Sequence, residues 1–151
     1  MIWIVLCLLA AAAAVLLVLR ARKEQAQASL MLERMRASAL FREVSAQLHR
    51  LRPDHIERLS LQPEQLDVLM LDGSSLCFRF MEHRFDPLQP GPLLALTQAI
   101  ALELPDLQDP SFYTFEEAPR RTHEVWYRYT MRHDRKDYLL RQLRGRELRS
   151  L

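Results

Sequence analysis

At 151 residues the chain has room for one small domain, and not for two, once an apolar N-terminal stretch is set aside. The formal net charge is only +2, and the 3 glycines are too few to furnish a phosphate-cradling loop. Of the 2 cysteines, Cys7 sits in the apolar stretch and Cys77 stands alone in the remainder, which excludes a disulfide framework and suits a reducing compartment.

From Met1 to Leu19 the sequence reads MIWIVLCLLAAAAAVLLVL, without a charged side chain. At about 1.5 Å per residue such a helix spans roughly 28 Å, close to the hydrocarbon thickness of a bilayer. A cleaved signal peptide is the competing reading, since Ala26 and Ala28 make a small-x-small pattern. No basic side chain precedes the apolar run, however, and Arg20, Arg22 and Lys23 occupy the ground where a neutral cleavage region belongs. The sequence is therefore read as a retained single-pass anchor over residues 1–23. The same three cations predict that the N-terminus faces outward and that residues 24–151 form a cytoplasmic domain at the cell membrane.

Ala37, Phe41, Val44, Leu48 and Leu51 then recur at steps of four and three, predicting an amphipathic helix that ends before Pro53. Its apolar stripe suits packing on the domain's own sheet; a coiled-coil homodimer through residues 30–51 is the other use of such a stripe. Three strands are expected next, Ile56 to Leu61, Gln65 to Leu71 and Ser75 to Met81. The Asp72-Gly73 pair marks the reversal between the second and third. A two-residue loop would set Asp67 opposite Phe78, burying a carboxylate among apolar neighbours. A three-residue loop with glycine left-handed aligns Leu66, Val68 and Met70 with the face of Leu76, Phe78 and Phe80, and this register is predicted.

Pro87, Pro90 and Gly91 interrupt regular structure, and Pro92 suits the first turn of a helix running to Leu104. That helix is apolar on nearly every side and too short to cross a bilayer, so burial against the sheet is expected. Two more strands follow, Phe112 to Glu117 and Glu124 to Arg132; in the latter Val125, Tyr127, Tyr129 and Met131 alternate with Trp126, Arg128, Thr130 and Arg132. Asp134 and Asp137 suggest a last helix, which Gly145 is expected to end. The predicted fold class is α+β: a single transmembrane helix, then a two-layer domain with a mostly antiparallel sheet of about five strands.

Few residues have the types and spacing that catalysis requires. No histidine pair has helical ligand spacing and no Cys-x-x-Cys occurs, so neither a metal site nor a cofactor site is assigned. Cys77 has no evident base beside it and is read as a buried small apolar residue. The helix, three strands, helix order of residues 30–104 is shared with double-stranded RNA binding domains. Those need lysines opening the second helix, where this chain has Gly91-Pro92-Leu93-Leu94-Ala95. A nuclease-type core would use Asp67 and an acid on the third strand. That strand reads Leu76-Cys77-Phe78-Arg79, so a metal-dependent enzyme built on Asp67 and Glu82 is kept only as an alternative.

Charge is unevenly placed. Residues 53–119 carry twelve acids against three arginines, whereas residues 120–151 carry ten basic residues against four acids. The bland expectation is that the basic end folds against the acidic middle. The functional one is that Trp126, Arg128, Arg132, Arg135, Lys136, Arg141, Arg144, Arg146 and Arg149 form a surface for a protein partner or anionic lipid, in preference to nucleic acid. The function expected is a non-enzymatic interaction or scaffold module held at the membrane.

Overall fold

A computed structural model describes residues 1–80, 85, 86, 89–117 and 126–150. Met81, Glu82, Pro87, Glu124 and Val125, each named in the sequence analysis, lie outside the described residues.

The first helix, α1 (Ile2–Arg36), does not stop at the end of the apolar run; it continues without a break through the basic triplet and into the domain. It ends at Ser38, whose hydroxyl donates to the Met35 carbonyl at 2.6 Å and accepts from the Phe41 amide at 3.2 Å. One serine thus closes α1 and caps α2 (Ala39–Leu48), satisfying an orphan amide of the new helix. The amphipathic stripe therefore lies on α2, with Phe41, Val44 and Leu48 buried in the core. Within the stretch 30–51 considered for a homodimer, the α2 stripe is thus taken up by the domain, whereas Leu30 and Met31 at the end of α1 stay exposed.

The sheet is antiparallel throughout, in the order β3-β2-β1-β5-β4, with β1 (Ile56–Leu61), β2 (Gln65–Met70), β3 (Ser75–Arg79), β4 (Tyr113–Glu117) and β5 (Tyr127–Met131). The β2–β3 reversal takes the predicted register: Leu66 faces Phe78 and Val68 faces Leu76. Gly73 stands at φ 86°, a left-handed conformation that side chains with a Cβ resist, and the Met70 carbonyl accepts from its amide at 3.1 Å. The turn also ties Asp72 to Ser74, whose amide and hydroxyl both donate to the carboxylate and hold it below the usual aspartate range.

Most apolar residues of one sheet face join a single core with the helices, Phe115 of β4 staying exposed. Leu59, Leu61, Leu66, Val68, Tyr127, Tyr129 and Met131 meet Leu93, Leu96 and Ile100 of α3 (Gly91–Glu103), all buried. Each such aliphatic side chain removed from water stabilises the fold by roughly 1.5–3 kcal/mol. Tyr113 ties the edge strand β4 to the central strand β1 by donating its buried hydroxyl to the Ile56 carbonyl at 2.6 Å, and that burial raises its phenol well above the usual range. The opposite sheet face bears no helix from this core, which makes the domain two layers deep.

The last helix, α4 (His133–Arg149), departs from the sequence reading at both ends. No aspartate caps it; Arg132 occupies the cap position, and its side chain does not cap the helix amides. Nor does Gly145 end it. An interior glycine costs only about 1 kcal/mol relative to alanine, and the strong helix formers around it, Leu143, Arg144, Arg146 and Glu147, carry the helix through.

Candidate functional site

The basic residues singled out from the sequence divide into three environments. Nearest the core, the root of α4 is fastened internally. Arg132 donates through Nε to the Pro110 carbonyl at 2.6 Å, and its amide donates to the Phe112 carbonyl at 2.8 Å. The Arg135 guanidinium lies 4.1 Å over the Phe112 ring, and Lys136 reaches Glu57 of β1 at 2.5 Å with both side chains half-buried. Leu139 is the one α4 residue buried in the core. To this extent the basic end does fold against the acidic middle.

Beyond Leu139 the picture changes. Arg141, Arg144, Arg146 and Arg149 are all exposed, and none forms an ion pair among the described residues. The expectation that the basic end folds against acidic residues therefore holds, among the described residues, only for the root of α4: Lys136 finds Glu57, and the distal arginines find no acid there. Tyr138, Arg141, Gln142, Gly145, Arg146 and Arg149 line an open groove of about 490 Å³ along one helix face. Gly145, where an added Cβ would meet nothing within 4 Å, forms its floor between Arg141 and Arg149 at four-residue spacing. Gln142 donates to the Tyr138 hydroxyl at 2.7 Å, which fixes one wall.

Trp126 and Arg128 belong to a different surface, the helix-free face of the sheet. Pairing of β1 with β2 and β5, of β2 with β3 and of β4 with β5 sets Cys77, Asp67, Ser60, Arg128 and Glu116 in one row across the strands. Part of this face is a depression of about 330 Å³ that Arg58, Ser60, Asp67, Cys77 and Arg128 help to line. The Arg128 guanidinium lies 4.4 Å from the Trp126 ring centroid, and its Nε is buried without a hydrogen-bond partner among the described residues. Trp126, one residue before β5 begins, is half-buried under that stack.

Cys77 is exposed, contrary to the sequence reading. Its neighbours Leu76 and Phe78 take the core side, and strand alternation leaves Cys77 opposite Asp67 on the open face. Hydrogen bonding to the Asp67 carboxylate, reinforced by desolvation, raises the thiol above its ordinary value, the wrong direction for a nucleophile. Asp67 itself accepts from the Gln65 amide at 2.8 Å. No group of three or more histidine, cysteine, aspartate or glutamate side chains converges among the described residues.

The row across the open face was hidden in the sequence. Strand parity identifies which residues share a face, but only the order β3-β2-β1-β5-β4 brings Arg128 beside Ser60. The free arginines of α4 were legible as a charge run, without any signal of which of them would be free.

Helix α1 is long and apolar enough to cross a membrane, and none of its apolar window is buried against the domain. No family model, curated protein or solved structure matches the chain.

Proposed function

We propose that the chain is a membrane-anchored, non-enzymatic interaction module: α1 is retained in the bilayer, the α+β domain stands on the cytoplasmic side, and the distal face of α4 receives an acidic protein partner. The observation that carries this reading is that Arg141, Arg144, Arg146 and Arg149 stay exposed and free of ion pairs among the described residues, in a chain whose middle carries surplus acid. Arginine presents its donors in a planar fork that matches carboxylates, and an exposed row of them favours encounter with negative charge. Tethering supports the role further, because two membrane-bound proteins meet at an effective concentration far above that in bulk solution.

The full chain in detergent-free membranes, cross-linked and compared with an Arg141→Glu, Arg149→Glu variant, tests the reading. A specific protein adduct lost on charge reversal, with thermal unfolding unchanged, supports it. An adduct that survives charge reversal, or a turnover activity that depends on Asp67, overturns it. Flotation with liposomes after alkaline washing tests the anchor separately.

A further inference from the structure

The direction in which α3 packs on α1 has a consequence for how the domain meets the bilayer. At the start of α3, Gly91 comes so close to Met31 that an added Cβ would stand 3.3 Å from the Met31 sulfur. Farther along, Leu94, Ala95 and Gln98 share a narrow groove with Ala28, Gln27 and Glu24, in which chain numbers rise on α3 as they fall on α1. The two helices are therefore antiparallel, and α3 runs back along α1 toward the apolar run.

Leu102 continues this α1-facing stripe of α3, one helical repeat beyond Gln98. It lies eleven residues past Gly91, about 16 Å along the axis at 1.5 Å per residue. Eleven residues before Met31 on α1 is Arg20, the first charge after the apolar stretch. Leu102 thus stands level with the boundary between apolar run and cations, and it is the one apolar residue of α3 left exposed, with 44% of its surface open. Glu103 beside it is 3.4 Å from His49, which fixes the end of α2 at the same level, and the chain leaving α2 there carries the exposed Arg50 and Arg52.

Resting on the anchor proposed above, we infer that this end of the domain is seated on the bilayer that α1 crosses. The last turn of α3 presses Leu102 into the interfacial layer, and Arg50 and Arg52 lie against phosphate headgroups. The partner is the lipid surface itself, selected by the unbroken continuation of α1 from span to dock and by the coincidence of an exposed leucine with the charge boundary. Interfacial burial of an apolar side chain flanked by arginines is favourable at a membrane surface. The seat holds the domain in one orientation, because α1 has no hinge between Leu19 and its contacts with α3.

The test uses the full chain reconstituted in phosphatidylcholine–phosphatidylglycerol liposomes. On a Cys7→Ala, Cys77→Ser background, an environment-sensitive fluorophore is attached at Leu102→Cys or at Gln62→Cys, the latter exposed at the opposite end of the strands. Lipids spin-labelled near the headgroup should quench the probe at position 102 at least twofold and leave the one at position 62 unchanged. A flexible glycine-serine insertion after Lys23 should preserve flotation while removing most of that difference. Equal quenching at both positions, no quenching at 102 in protein that floats, or a difference indifferent to the insertion would overturn the seat while leaving the anchor standing. Failure of the full chain to float would overturn the anchor, and the seat with it.

Discussion

Helices α1 and α4 are each docked over one half and bare over the other, yet their bare halves oppose one another in chemistry. The free half of α1 is leucine, valine and alanine, and apolar surface on that scale has no stable home in water. The free half of α4 is arginine, which water solvates well. Exposure therefore carries different information in the two places: on α1 it leaves apolar surface suited to an apolar solvent, and on α4 it leaves guanidinium groups that pair with no acid among the described residues. The docked halves differ as well. Contact with α3 holds α1 along several turns, whereas α4 is held by Leu139, Lys136 and the Arg135–Phe112 stack.

The comparison is broken most directly at α1. Leu8→Arg together with Leu9→Arg places charge near the centre of the span at a cost of roughly 2.5–3.5 kcal/mol per residue. The variant is expected to leave the membrane fraction in flotation while its domain unfolds at the same temperature. Next in size is the contrast between the two sides of α3. Ile100→Ala, in the core, should lower stability by about 2–5 kcal/mol in denaturant unfolding, and Leu102→Ala, on the exposed stripe, by less than about 0.5 kcal/mol in detergent.

A smaller effect separates root from tip in α4. Lys136→Ala removes a half-buried pair with Glu57 and should cost up to about 1 kcal/mol, discounted for the solvent that reaches both groups. Arg144→Ala should leave the unfolding midpoint unchanged. The smallest effect lies beneath that root. Asp109 accepts from the amide and hydroxyl of Ser111, and these bonds, with Arg135 nearby, hold its carboxyl below the ordinary 3.8. A group depressed on folding contributes stability above its unfolded pKa and loses it as pH falls through the folded value. The stability difference between the wild-type chain and Asp109→Asn should therefore be present at neutral pH and shrink toward zero in strong acid, as read from unfolding curves across that range.

Local pattern carried most of the fold. Strand alternation placed Tyr127, Tyr129 and Met131 inward, and the cost of burying Asp67 against Phe78 selected the three-residue turn with Gly73 left-handed. The errors arose where a local signal met a tertiary alternative. Glycine's weak helix propensity taken alone makes Gly145 a stop, but its neighbours outweigh one residue's penalty. Residue type alone buries Cys77, whereas its strand parity sets it on the open face.

Of the proposed surface, the arginine run was visible in sequence as charge, while its division into fastened root, sheet face and free tip was not. By itself the sequence determined much that depends on near neighbours along the chain: the apolar run and its flanking cations, the helical stripe of α2, the hairpin register. The tertiary structure alone decided which face of the sheet stays open, which arginines find acids, and that α3 runs back along α1. Those outcomes rest on contacts between residues far apart in the chain, whose geometry follows from how the elements pack and is not encoded in any single segment.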